Sequence, residues 1–240
     1  MIPLPQSTTV FDDGEAVARA AAEHLVTLCE DAPNERIAVC LSGGSTPKRL
    51  YTILAGPDYA ALPWSRLQWF FGDDRAVPWD DPLSNVLMVR EAFGATSPIP
   101  ETNLHPIPNA DGPEAGARRY EATLKAFYGA ETLDPARPVF DLVLLGLGED
   151  GHIASLFPDK PALDETQAWV AAVPEAGMTP FVPRITLTFP VLASARSVLF
   201  LVSGAGKQDP LERLSQGEDL PAGRAGGSPL WFVDRAAAGA

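Results

Sequence analysis

Two short apolar runs, Ile37 to Leu41 (IAVCL) and Phe140 to Leu145 (FDLVLL), each lead straight into a loop dense in glycine. A run of that length without polar alternation predicts a strand covered on both faces, because a strand with one wet face alternates polar and apolar residues. Helical periodicity separates such runs. Phe11 to Ala32 carries Val17, Ala21, Leu25 and Leu28 on one helical face, with Asp12 or Asp13 placed to cap it. Pro47 suits the first turn of a second helix, whose inner face is Leu50, Ile53 and Leu54. Leu67 to Phe71 reads as a strand, Ser84 to Phe93 as a helix, and Pro113 to Tyr128 as a helix with Ala117, Tyr120, Leu124 and Phe127 inward. Further strands are expected at Ala168 to Val173, Arg184 to Phe189, Ser197 to Val202 and Leu230 to Val233, with a helix around Pro210 to Gln216.

Buried strands alternating with amphipathic helices predict an α/β fold, a mostly parallel, Rossmann-like sheet flanked by helices. Residues 1–240 are read as a single α/β domain, with a small subdomain or excursion near 159–183, where Pro and Gly accumulate. The 240 residues are 46% apolar and 20% charged, a globular composition. Acidic side chains outnumber basic ones 31 to 18, for a net charge of −13. That excess argues against nucleic-acid or anionic-membrane partners, which need clustered Lys and Arg, but leaves room for a small anion held by a few focused cations. Cys29 and Cys40 make no disulfide framework, and no Cys/His cluster has metal-ligand spacing. Met1 to Asp13 lacks a basic and then apolar leader, and no run approaches a membrane span, so a soluble cytoplasmic protein is expected.

In an open α/β sheet, ligands bind beyond the carboxyl ends of the strands. Three loops leave such ends: Ser42 to Pro47, Gly72 to Asn85 and Gly146 to Pro158. In the first, Gly43 and Gly44 permit close backbone approach. Ser42, Ser45 and Thr46 put hydroxyls beside the free N–H groups of a helix start, which suits a phosphate or carboxylate. A plain capped helix after a tight turn would use the same residues. The third contains a literal GxGxxG, but Glu149 and Asp150 inside it would repel a pyrophosphate, and Pro158 follows too soon for a crossover helix. What remains is a glycine-shaped turn presenting His152 at a strand end, beside carboxylates able to orient and charge an imidazole. His24, on a helix, and His105, in an irregular stretch, read as structural. The second loop offers Arg75 for bidentate phosphate contact and Asp73 for sugar hydroxyls, though a salt-bridged loop anchoring the next helix fits it equally. Arg184 and Lys207 are further cations able to reach the same edge. No GxSxG elbow or cysteine nucleophile is present, so any hydrolysis is expected to use activated water.

Taken together, LSGGSTPKRLY (Leu41 to Tyr51), FFGDDRAVPWDDPLSN (Phe70 to Asn85), FDLVLLGLGEDGHIASLFP (Phe140 to Pro158), RITLTFPVL (Arg184 to Leu192) and the closing PLWFVDRAA resemble the 6-phosphogluconolactonase family, in order over almost the whole chain. Related glucosamine-6-phosphate deaminases share the first and third motifs. They carry Asp-Glu-Tyr where this chain has Asp73-Asp74-Arg75, and AFNEP where it has ASLFP. Asp74 departs from the family's usual glutamate. The resemblance implies hydrolysis of 6-phospho-D-glucono-1,5-lactone to 6-phosphogluconate, with His152 as general base and Glu149 or Asp150 orienting its ring. It also implies Arg75 or a loop N–H as oxyanion donor, and the substrate phosphate on Ser42, Gly43, Gly44, Ser45 and Thr46 with Arg75, Arg184 and Lys207 nearby. No cofactor or metal is expected, and the protein is expected to act as a monomer on a phosphorylated sugar lactone. A glucosamine-6-phosphate deaminase and a catalytically silent sugar-phosphate sensor are the alternatives. All of these expectations require His152 and the Ser42–Thr46 bend to lie one phosphorylated hexose apart.

Overall fold

A computed structural model describes all 240 residues. In chain order the regular elements are β1 (Thr8–Phe11), α1 (Gly14–Asp31), β2 (Ile37–Leu41), α2 (Ser45–Leu54), β3 (Leu67–Phe71), β4 (Asp73–Arg75), α3 (Asn85–Phe93) and β5 (Leu104–His105). There follow α4 (Pro113–Tyr128), β6 (Phe140–Leu145), β7 (Val170–Val173), β8 (Arg184–Leu187), α5 (Phe189–Ala193), β9 (Ala195–Val202), α6 (Gln208–Ser215) and β10 (Leu230–Asp234). The strongest periodic segments fall where the sequence puts them. Asp13 is the cap of α1, its carboxylate accepting the N–H of Ala16 at 2.8 Å, and Val17, Ala21 and Leu25 are buried beneath it. Ser84 caps α3 by accepting the N–H of Val86 at 3.1 Å.

Seven strands form one parallel sheet in the order β1-β10-β9-β6-β2-β3-β5. Every residue of β2, β3 and β6 is buried, which explains their apolar runs. The sheet has a switch point between β6 and β2: the chain proceeds from β2 outward to β3, and from β6 in the opposite direction to β9. Loops leaving β2 and β6 therefore part company, and the crevice of an open α/β sheet lies between them.

Several expectations need correction. Ala168 to Val173 and Arg184 to Phe189 do not extend the main sheet. Their strands, β7 and β8, join β4 in a separate antiparallel sheet of order β4-β8-β7, which packs on α4. The segment near 159–183 thus contributes a strand to a second layer. Arg184 to Phe189 also ends earlier than expected, at Leu187, because Phe189 and Pro190 open the short helix α5. The second loop begins as β4, and β1 precedes the first helix. Both strands are short, and DDR and TTVF have no apolar face strong enough to announce a strand.

Candidate active site

Beyond the carboxyl ends of β2 and β6 lies a cleft of about 440 Å³. Its walls include Ser42, Gly43, Gly44, Ser45 and Thr46 from the first loop, Asp73 and Arg75 from β4, Glu149 and His152 from the third loop, and Arg184 and Lys207. His152 and the Ser42–Thr46 bend line this one space. Asp150 is the exception among the predicted residues: it does not line the cleft but stands behind the histidine.

Asp150 Oδ1 lies 2.6 Å from His152 Nδ1 and also accepts the His152 backbone N–H at 3.1 Å. With Nδ1–H donating, Nε2 carries the free lone pair. Burial pushes the Asp150 carboxyl up, but the hydrogen bonds and the charge of His152 outweigh it and hold the group below its ordinary range. Of the two carboxylates offered by the sequence, Asp150 orients the ring, while Glu149 lies against Gly206 across the cleft. Phe157, buried, packs on the imidazole with ring centres 4.5 Å apart. Gly148 is required beneath the ring: a Cβ there would stand 2.0 Å from Nδ1.

The first loop enters α2 without a side-chain cap, unlike α1 and α3, and without an acidic residue in the first turn, unlike α1. The N–H groups at a helix start have no intrahelical acceptor, so those of Ser45 and Thr46 remain available to an anion. Gly43 is fixed by proximity, since a Cβ there would meet Asn85 Oδ1 at 2.4 Å.

The register of the second sheet sets Arg75 directly opposite Arg184. Like charges facing each other across two strands repel. Arg184 is only 4% exposed, and burial, followed by the Arg75 charge, lowers its affinity for its proton. Its guanidinium donates to the carbonyls of Pro180 and Val182, and that of Arg75 to the carbonyl of Leu83, leaving Arg75 Nε buried without a partner. Most Lys and Arg side chains of this acidic protein sit within 4.0 Å of a carboxylate, but Arg75, Arg184 and Lys207 do not. Three cations outside any salt bridge, around an uncapped helix start, form an electrostatic site for a compact anion.

Sequence reasoning gave no role to Asn85, Ser155 or Asp74, which support the site. Asp73 Oδ2 accepts the Ser155 hydroxyl at 2.6 Å, and the Asn85 amide donates to the Asp73 carbonyl at 3.0 Å. These bonds hold a buried carboxylate at the cleft wall with lone pairs to spare. Asp74, 0% exposed, accepts the N–H groups of Arg75 at 2.8 Å and Asn85 at 2.7 Å, and the Ser84 hydroxyl at 3.1 Å. Burial raises its pKa from 3.8 to about 6 despite those donors. A serine three residues after His152, and polar residues opening an otherwise apolar helix, were the available signals. No group of three or more His, Cys, Asp or Glu side chains is arranged to hold a metal. No helix is long and apolar enough to cross a membrane.

Residues 12–231 match the family model of glucosamine-6-phosphate isomerases and 6-phosphogluconolactonases. A 6-phosphogluconolactonase of Synechocystis is 42% identical over 206 residues, covering 83% of this chain and 82% of that one. Another, from Nostoc, is 36% identical with 98% of each chain covered. The crystal structure of 6-phosphogluconolactonase from Thermotoga maritima superposes with a TM-score of 0.81 at 31% identity, covering 95% of this chain and 98% of that one.

Proposed function

We propose that this chain, which belongs to the family of glucosamine-6-phosphate isomerases and 6-phosphogluconolactonases, hydrolyses 6-phospho-D-glucono-1,5-lactone to 6-phosphogluconate. The observation that carries this reading is the facing pair Arg75 and Arg184, neither of them in a salt bridge, in the same cleft as His152 with its Asp150 partner. One end of the cleft is built for a dianion and the other for moving a proton.

The substrate phosphate sits on the N–H groups and hydroxyls of Ser42 to Thr46, with Arg75, Arg184 and Lys207 neutralising its charge. That anchors the six-membered ring with C1 toward His152. His152 Nε2 takes a proton from water as the water oxygen bonds to C1. The carbonyl oxygen becomes an oxyanion, held by a loop N–H. As the intermediate collapses, the bond from C1 to the ring oxygen breaks. The imidazolium returns its proton to that oxygen, leaving a free hydroxyl and a carboxylic acid, which gives its remaining proton to solvent to become the carboxylate. Asp150 stabilises the transient imidazolium, and Asp73 accepts hydrogen bonds from the sugar hydroxyls. General-base assistance contributes about 10²–10⁴-fold, and the anchored phosphate adds positioning.

The test is a coupled assay in which glucose-6-phosphate dehydrogenase generates the lactone and its disappearance is followed with and without this protein. Accelerated loss that vanishes in His152→Ala is the expected result. Release of ammonia from glucosamine 6-phosphate without lactone turnover would replace the proposal by the deaminase reaction.

A further inference from the structure

Tyr51 lies in α2 and is 0% exposed, and it does not line the cleft. Its hydroxyl accepts the backbone N–H of Ser42 at 3.0 Å and donates to the carbonyl of the same residue at 2.8 Å. One phenolic oxygen thus satisfies both polar groups of one residue, the part a neighbouring strand normally plays.

The ladder shows which strand is displaced. β2 pairs with β6 at Val39↔Leu142 and Cys40↔Val143, a register that would set Ser42 opposite Leu145. The carbonyl of Leu41 is taken from the other side by the N–H of Gly72, so the groups of Ser42, one residue on, face β6. β6 is still a strand at that level, its Leu145 paired with Phe200 of β9, yet the β2–β6 ladder has stopped. A second tyrosine does the same on the outer flank. There β3 outruns β5, which ends at His105, and the Tyr120 hydroxyl accepts the Phe71 N–H at 2.7 Å and donates to the Phe71 carbonyl at 3.0 Å.

We propose that the Tyr51 hydroxyl is a wedge at the switch point. By replacing β6 as the partner of Ser42 it ends the β2–β6 ladder early and fixes the divergence between the Ser42–Thr46 loop and the Gly146–His152 loop. Tyr51 is therefore a positioning residue for the anion site without touching the anion. The role rests on reading Ser42–Thr46 as the phosphate loop.

Tyr51→Phe removes one oxygen and keeps the ring stacked on Phe93, 5.8 Å away between centres. The variant should bind inorganic phosphate about tenfold more weakly and show a KM for lactone raised by about the same factor, as for a lost pair of buried hydrogen bonds. Its kcat should stay within about threefold of wild type, because the lost interaction serves binding. Tyr128→Phe is the control. The Tyr128 hydroxyl accepts the N–H of Asp134 at 3.0 Å and donates to the Arg137 carbonyl at 2.8 Å, in a turn outside the cleft. It should lower the denaturation midpoint similarly and leave phosphate affinity unchanged. A Tyr51→Phe protein that is less stable but binds phosphate like wild type overturns the wedge. So does rapid exchange of the Ser42 amide in the wild-type protein, a measurement independent of the variant's folding. Failure of wild type to bind phosphate at all is a separate outcome: it removes the loop reading, and the wedge's role with it.

Discussion

At the scale of single residues, the site is an arrangement of unequal partners. His152 has one carboxylate behind it and an aromatic face beside it, while Arg75 and Arg184 have each other and no salt bridge. Replacing the histidine by alanine should lower kcat about 10²–10⁴-fold and leave inhibition by inorganic phosphate intact, because the anion end of the cleft is untouched. Inhibition lost in parallel with kcat would show that the two ends are not separable. Asp150→Asn should fall between that variant and wild type. The amide keeps an acceptor for the ring but no charge to stabilise the imidazolium, a distinction visible in kcat with little change in KM. That His152, Arg75 and Asp73 share one cleft was legible in sequence, because each follows a buried strand among residues that no strand or helix needs. That Asp150 and not Glu149 meets the ring was not legible, since adjacent residues in a tight turn point in directions only the turn decides.

At the scale of elements, β4 and the start of α3 depend on one carboxylate. Asp74 is buried, and its pKa, raised from 3.8 to about 6, means that the folded state binds its proton more tightly than the unfolded chain does. The sign follows: this group's contribution to stability is greatest below about pH 4, declines as pH climbs toward 6, and stays diminished above. The full difference is about 3 kcal/mol. Urea denaturation at pH 5 and pH 7 should show wild type losing stability over that interval relative to Asp74→Asn, whose side chain does not ionise. Parallel behaviour of the two proteins would assign the titration to another group. The sequence hid β4 for the reason that makes it useful. Asp73, Asp74 and Arg75 pair by backbone with β8, so their side chains are free to be polar, and no periodicity marks the strand.

At the scale of the whole molecule, a net charge of −13 surrounds a cleft where three cations go unpaired, so an anion that binds there should stabilise the fold. Inorganic phosphate at a hundred times its dissociation constant should add about 2.7 kcal/mol, a rise in Tm of roughly 5–10 °C for a chain of this size. Arg75→Ala should abolish most of the shift and raise KM more than it lowers kcat; an undiminished shift would place the anion elsewhere. The sequence by itself determined the parallel α/β architecture, because IAVCL and FDLVLL can be satisfied only by helices on both faces and a strand on each edge. It also determined which loops carry chemistry, since ligands collect where such strands end. Only the tertiary structure decided that β4, β7 and β8 leave the main sheet to bring Arg75 against Arg184, and that a tyrosine hydroxyl parts β2 from β6. Those outcomes depend on pairings between segments far apart in the chain, and backbone hydrogen bonds are indifferent to the side chains that a sequence displays.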